Sequence, residues 1–328
     1  MEDLIRSLEK KLEEFPRHSF SFTPTPCHLL RNISREFGVE VYCKREDMTG
    51  FGFGGNKSRK LEFLIGKALK EGLNAVVTSG GIQSNFCRMV AAAGASVGIK
   101  VFLVLGGIIP KKKTANLLLD ELLGAEIHFV DSPEWDIWER ESKRLAQRLS
   151  QKGFKILYLP IGGSIPLGVL GYVWTFLEIL RDEMKLNINF DYIVHASGSG
   201  GTQAGLVTGK SLTCWKGDII GVSVAMKQEE LKQKVLSLSS QTAFLLDGSV
   251  DPDSIHINDE FIGKGYAIQT EEAVDAIETF ARREGIFLDN VYTGKAAAAL
   301  LKWLSEGRFE GKKVLFIHTG GQVELFSH

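Results

Sequence analysis

Gly54-Gly55-Asn56-Lys57-Ser58-Arg59-Lys60-Leu61-Glu62 is the stretch whose reading decides the fold of this chain. Two glycines and an asparagine lead into Lys57, and Leu61, Phe63, Leu64, Ala68 and Leu69 then recur at helical spacing up to a stop at Gly72. With Asn56 as N-cap, Lys57 falls in the first helical turn. There the positive end of the helix dipole, with Arg59 and Lys60 close by, disfavours an ammonium. The expected result is a lowered pKa and an amine free to attack a carbonyl. The competing reading is a solvated basic helix start.

A second glycine-rich stretch bears on that choice. Ala196-Ser197-Gly198-Ser199-Gly200-Gly201-Thr202-Gln203-Ala204-Gly205 follows the apolar run Tyr192-Ile193-Val194 and opens a helical pattern. Successive amides in such a loop point at an anion, and the helix dipole adds to the attraction. Alone, the loop is a weak signal and reads first as a tight strand-to-helix turn. Beside a candidate Schiff-base lysine, it reads as the phosphate anchor of pyridoxal phosphate.

Composition narrows the classes. The chain has 328 residues, enough for one large or two ordinary domains; 44% hydrophobic and 24% charged residues are those of a soluble globular protein. A formal net charge of −1 gives no electrostatic case for nucleic acid or an anionic membrane as partner. Cys27, Cys43, Cys87 and Cys214 lack metal-ligand spacing and predict neither a metal site nor a disulfide frame. Glu2 to Phe15 is charged and amphipathic, and no apolar run reaches the roughly 20 residues that span a bilayer. The expectation is a cytoplasmic protein.

Strands and helices alternate from the Lys57 helix onward. Strands are expected at 75–78, 100–105, 126–130 and 155–159, with helices at 84–97, 115–123 and 133–151 between them. Gly162-Gly163-Ser164 looks like a domain crossing. A helix at 167–184 and strands at 192–196 and 219–224 follow, then helices at 229–238, 271–284 and 294–304 and a closing strand at 313–318. Residues 239–265 look less regular. The pattern is α/β, with mostly parallel sheets flanked by helices in two lobes. The smaller domain takes 55–162, the larger takes 1–54 and 163–328, and the ligand cleft lies between them.

Other junctions carry chemistry. Ser84 at a helix start offers a seat for a substrate carboxylate, or is simply an N-cap, and Asn85 can bond a cofactor ring oxygen. Tyr292 and Tyr266 are candidate acid/base or stacking rings, or amphipathic packing. His195 and His318 read as satisfied interior histidines, Cys87 as a small core hydrophobe, and Glu324 as a surface charge that could also approach the cofactor.

Taken in order, Gly54-Gly55-Asn56-Lys57-x-Arg59-Lys60-Leu61-Glu62, Gln83-Ser84-Asn85, Ser197-Gly198-Ser199-x-Gly201-Thr202, Val291-Tyr292-Thr293-Gly294-Lys295 and His318-Thr319-Gly320-Gly321 resemble the 1-aminocyclopropane-1-carboxylate deaminase / D-cysteine desulfhydrase family. The resemblance implies the fold of the tryptophan synthase β chain, a homodimer, a small amino-acid substrate, and pyridoxal phosphate as cofactor. It makes Lys57 the Schiff-base lysine and Lys60, Ser197, Gly198, Ser199, Gly200, Gly201 and Thr202 the phosphate contacts. Asn85 becomes the partner of the ring oxygen, Ser84 a carboxylate ligand, and Tyr292 and Tyr266 active-site tyrosines.

Family deaminases place Glu after the tyrosine and Leu before the closing Gly-Gly. Here those positions are Thr293 and Thr319, as in the desulfhydrases. A carboxylate beside the pyridine nitrogen keeps it protonated, whereas a hydroxyl only hydrogen-bonds it and leaves a weaker electron sink. Losing a thiolate from Cβ needs less delocalisation than opening a cyclopropane. The expectation is therefore α,β-elimination of D-cysteine to pyruvate, ammonia and sulfide. Alternatives are cyclopropane opening, or elimination from D-serine, β-chloro-D-alanine or cysteate. A nucleotide-binding α/β protein would leave Lys57 unexplained, and a non-catalytic pyridoxal-phosphate binder is a further alternative. Phe86, where desulfhydrases carry His, and Asn290, where Pro is usual, depart from the pattern.

Overall fold

The computed structural model describes residues 1–327. In chain order the elements are α1 (Glu2–Glu13), β1 (Cys27–Leu29), α2 (Arg31–Phe37), β2 (Glu40–Lys44), α3 (Lys57–Lys70), β3 (Ala75–Gly81), α4 (Asn85–Val97), β4 (Lys100–Gly106) and α5 (Ala115–Leu122). Then come β5 (Glu126–Val130), α6 (Trp135–Gln151), β6 (Ile156–Tyr158), α7 (Pro166–Leu186), β7 (Tyr192–Ser197), α8 (Gly201–Thr213) and β8 (Asp218–Ser223). The chain closes with α9 (Gln228–Phe244), β9 (His256–Asn258), α10 (Glu271–Glu284), α11 (Thr293–Ser305) and β10 (Lys313–Ile317).

Two mostly parallel sheets result. One has the order β5-β4-β3-β6 and is parallel throughout; the other has the order β1-β2-β10-β7-β8-β9, with only β1 antiparallel to its neighbour. Near-continuous apolar strands such as Val76-Val77 and Leu315-Phe316-Ile317 are what a sheet covered on both faces demands. Helix α1 closes the larger core by burying Ile5, Leu8 and Leu12, each worth about 1.5–3 kcal/mol of transfer from water.

Helix α3 sits between the two cores. Leu61, Leu64, Ile65 and Ala68 face the helices of the four-stranded sheet, while Phe63 enters the core built around α7. Leu69, expected on the inner face, is exposed. Three elements differ from the sequence expectation. The strand β1 and the short helix α2 occupy residues left without an element, and α9 extends to Phe244, so the segment from 239 begins as helix. Helix α9 runs on because Leu238, Thr242 and Ala243 stay on its buried side. Among the described residues, no helix is long and apolar enough to cross a membrane.

Candidate active site

Both sheets aim the carboxyl ends of their strands at one crevice. In the six-stranded sheet β7 lies between β10 and β8, so the loops that leave the C-terminal ends of β7 and β10 lie side by side at the crevice. The loops at this point are Ser197–Gly200 and His318–Gly321. The end of β3 brings Ser84 and Asn85 from the other sheet.

Lys57 is the first residue of α3 and is clamped from both sides. The Asn56 amide donates to Thr319 O at 2.9 Å, and the Gly55 amide donates to Glu46 O at 3.0 Å and to Thr49 Oγ1 at 2.9 Å. A Cβ on Gly320 would stand 2.6 Å from Gly55 Cα, so the two loops approach this closely only as glycines. The Lys57 amine has no hydrogen-bond partner among the described residues, and burial lowers its pKa to about 8, opposed by the charge of Asp289. The expected direction is found, but its cause is desolvation, not the neighbouring bases. Arg59 is turned the other way. Nor does Asn56 cap the helix through its side chain: its amide nitrogen donates to Thr202 Oγ1 at 2.9 Å, tying α3 to the start of α8.

The loop Ser197-Gly198-Ser199-Gly200-Gly201-Thr202 wraps the opposite wall. Gly201, Thr202 and Gln203 open α8, where amides lack intrahelical acceptors. The hydroxyl of Ser197 is buried without a partner, and Ser199 Oγ lies 2.8 Å from Ser164 Oγ. Behind them, Lys60 Nζ donates to Gly162 O at 3.1 Å and to Ser164 Oγ at 3.3 Å. A Cβ on Gly201 would come within 2.4 Å of that amine. Burial, then the charges of Lys57 and Lys234, hold Lys60 well below the ordinary lysine range. Among the described residues neither Lys57 nor Lys60 has a carboxylate within ion-pair distance. Unpaired buried cations are costly, and free amides, an orphan hydroxyl and a reactive amine together fit a phosphorylated aldehyde. Pyridoxal phosphate is such a molecule.

Asn85 accepts from Asn116 Nδ2 at 2.9 Å, which turns its own amide nitrogen toward the cavity. Ser84 caps α4, its hydroxyl accepting from the Cys87 amide at 3.2 Å, so the N-cap reading holds; Ser84 does not itself line the cavity at Lys57. The Tyr266 and Tyr292 hydroxyls lie 2.6 Å apart. Burial raises Tyr266 to about 12 and Tyr292 well above the ordinary phenol. Both are neutral donors at physiological pH, not bases.

The two threonines differ. Thr293 Oγ1 donates to Asp289 Oδ1 at 2.6 Å and accepts from the Asp289 amide at 2.8 Å. Thr319 lines the cavity with no protein partner for its hydroxyl among the described residues.

Three residues went unassigned in the sequence. Asp289 accepts the amides of Val291, Tyr292 and Thr293 at 3.0, 2.9 and 2.8 Å and so builds the turn that presents the tyrosine. An acid just before a helical pattern was the available signal. Lys295 is buried and donates to Ile262 O and Gly265 O at 2.7 and 3.1 Å, fixing the loop that carries Tyr266. Glu46 is the third, paired with Arg59. Glu324 is not a surface charge: it is buried, and its Oε2 accepts from Asn290 N at 3.2 Å and Asn290 Nδ2 at 3.0 Å. A proline at 290 would lack both donors, which gives that departure a physical sense.

His318 is satisfied, with Nε2 against Phe287 O at 2.9 Å and Nδ1 accepting from the Gly320 amide at 3.2 Å. His195 is only half satisfied. Its Nδ1 meets Ala196 O, while Nε2 has no partner; burial depresses it to about 4, so it stays neutral. Cys87 is core, and so is Phe86, whose ring packs over Gly163 away from the cavity. Among the described residues no cluster of His, Cys, Asp or Glu is arranged for a metal ion.

The family model described as pyridoxal-phosphate dependent enzyme matches residues 19–320. A D-cysteine desulfhydrase of Yersinia enterocolitica is 39% identical over 98% of both chains. A Pyrococcus abyssi protein, provisionally named a 1-aminocyclopropane-1-carboxylate deaminase, is 38% identical over 97% of this chain and 95% of its own. The crystal structure of an ACC deaminase homologue superposes with a TM-score of 0.91 at 37% identity, covering 98% of this chain and 96% of that one. The chain belongs to the pyridoxal-phosphate dependent enzymes.

Proposed function

We propose that this member of the pyridoxal-phosphate dependent enzymes eliminates the β-substituent of a D-amino acid, with D-cysteine yielding pyruvate, ammonia and hydrogen sulfide. The observation that carries the reading is the unpaired, half-buried Lys57 amine, held to about 8 opposite the Ser197–Thr202 amides. In this reading Lys57 holds the cofactor, and Lys60, Ser197, Gly198, Ser199, Gly200, Gly201 and Thr202 hold its phosphate. Asn85 Nδ2 would donate to its ring oxygen. Thr319 would be the donor to the ring nitrogen, because the Thr293 proton is already given to Asp289. Residues 55–162 form the smaller domain and the remainder the larger.

Bound there, the cofactor supplies a conjugated ring that spreads the electron pair left at Cα. The chain supplies the rest. The first amides of α4, the helix that Ser84 caps, orient the substrate carboxylate. Lys57 would take the proton from Cα. Its depressed pKa keeps a useful fraction neutral at pH 7, where an ordinary lysine would be almost wholly protonated. The Tyr266–Tyr292 pair donates to the departing sulfur, and Lys295 keeps Tyr266 in reach. No carboxylate occupies position 293 or 319, and the Yersinia and Salmonella relatives named D-cysteine desulfhydrase favour elimination over ring opening. Exposed Phe22, Met48 and Phe53 gather around the loop before Lys57, an apolar surface suited to a second copy in a cytoplasmic homodimer.

The test is a panel of D-cysteine, L-cysteine and 1-aminocyclopropane-1-carboxylate, scored for keto acid and sulfide with loaded enzyme. The expected outcome is sulfide and pyruvate from D-cysteine with kcat/KM at least ~10-fold above the L isomer. Faster release of 2-oxobutanoate from the cyclic substrate would refute the assignment.

A further inference from the structure

A primary amide such as that of Asn85 has two ends of nearly equal size, a donor and an acceptor, and half a turn exchanges them. Which end faces the cavity is decided behind it. Asn116, fully buried in the first turn of α5, donates from Nδ2 to Asn85 Oδ1 and to the main-chain oxygen of Gln83, each at 2.9 Å. A main-chain carbonyl only accepts, so turning Asn116 round would set its own oxygen against Gln83 O. The order of donor and acceptor therefore runs from that carbonyl through Asn116 to Asn85, and leaves Asn85 Nδ2 to the cavity at Lys57.

This arrangement is not the one that stability alone would choose. Asn116 Oδ1 is buried with no partner among the described residues, a standing cost that an apolar side chain would not carry. Ala115, one position before it, has φ 47°, in the left-handed region that a residue with a Cβ avoids. The Gln83 side chain holds the turn from both sides, accepting from the Asn116 amide at 2.9 Å and donating to Thr114 O at 3.2 Å. Strain and an orphaned acceptor are tolerated together where they aim another group.

Resting on the assignment of Asn85 to the ring oxygen, we propose that Asn116 is a positioning residue for the cofactor. It fixes Asn85 as a donor, and so sets the site's preference for a ligand with an anionic oxygen on its ring. Without Asn116, Asn85 can still aim Nδ2 at that oxygen, but only by leaving its own Oδ1 buried against carbon.

The experiment titrates the full-length, cofactor-free protein calorimetrically with pyridoxal phosphate and with 3-deoxypyridoxal phosphate, which lacks the ring oxygen. The readout is the ratio of Kd values, deoxy over parent. A general loosening of the fold weakens both ligands and cancels in that ratio. Asn85→Ala is expected to lower it at least ~10-fold, the size of a hydrogen bond to a charged acceptor. Asn116→Leu and the smaller Asn116→Ala are each expected to lower it at least ~3-fold. In the Asn85→Ala background the same changes move it less than ~2-fold, because Asn116 acts through Asn85. Falls of less than ~3-fold in both Asn116 variants, with the Asn85→Ala fall present, overturn this proposal and leave the Asn85 contact standing. A further fall of ~2-fold or more in the double variants also overturns it, since Asn116 would then act by another route. An unmoved ratio in Asn85→Ala overturns the contact and the proposal together.

Discussion

Arg59 and Lys57 stand two positions apart at the start of α3, yet their surroundings are opposites. The Arg59 guanidinium is gripped by two carboxylates: Nε and Nη2 donate to Glu46 at 2.9 and 2.8 Å, and Nη1 and Nη2 donate to Glu178 at 2.6 and 2.8 Å. Burial works against its charge, but Glu46 and Glu178 raise its pKa well above the ordinary value. Lys57 has burial without such partners, and its pKa falls. Lys60, one residue beyond Arg59, meets only a carbonyl and a hydroxyl. The same helix thus carries a charge neutralised by the chain and two awaiting an anion or an aldehyde. A paired buried charge fixes α3 against α7; an unpaired one marks a site where binding repays a standing desolvation cost.

The contrast breaks first at Lys57. Lys57→Ala is expected to lower kcat by ~10⁴-fold or more while leaving the unfolding midpoint of the cofactor-free protein unchanged or higher, because a costly cation has gone. Borohydride reduction followed by peptide mass analysis will find no cofactor attached in that variant. Loss of stability without loss of activity would reverse the assignment of the two residues.

Arg59→Met tests the other side. Removing one partner of a buried network strands Glu46 and leaves Glu178 only Lys44 at 3.6 Å, and the expected cost is about 3–5 kcal/mol in urea unfolding. Adding Glu46→Gln and Glu178→Gln recovers part of that cost by removing the stranded charges. A triple variant less stable than Arg59→Met alone would contradict the pairing account.

The smallest effect is one of pH. With a pKa of about 8, the neutral fraction of Lys57 rises about fivefold between pH 7 and 8 and then levels off by pH 9. Covalent capture of the cofactor by the cofactor-free protein, trapped by borohydride, is expected to follow that curve. An ordinary surface lysine would keep rising roughly tenfold per pH unit up to about pH 10. A capture rate still climbing at that slope above pH 9 would place Lys57 among the solvated lysines.

Much of this was legible in one dimension. The parallel sheets follow from apolar runs alternating with helical periodicity, and the anion seat follows from a glycine loop at a strand-helix junction. The fate of individual charges was not legible. Glu324 looks like any acid near a terminus, and only its contacts with Asn290 put it inside. Arg59 and Lys60 read alike as basic neighbours of Lys57, though one is consumed by carboxylates and the other is not. Thr293 and Thr319 read as equivalent hydroxyls until Asp289 takes the proton of one.

The sequence by itself determined the elements, the α/β class and the short-range junctions, because periodicity, capping and glycine conformations are set by residues a few positions apart. The tertiary structure decided which polar groups are spent and which are free. Glu178 reaches Arg59 across 119 residues of chain, and Asn56 reaches Thr202 across 146. No local pattern encodes those distances; they exist only once two sheets have been packed around one helix.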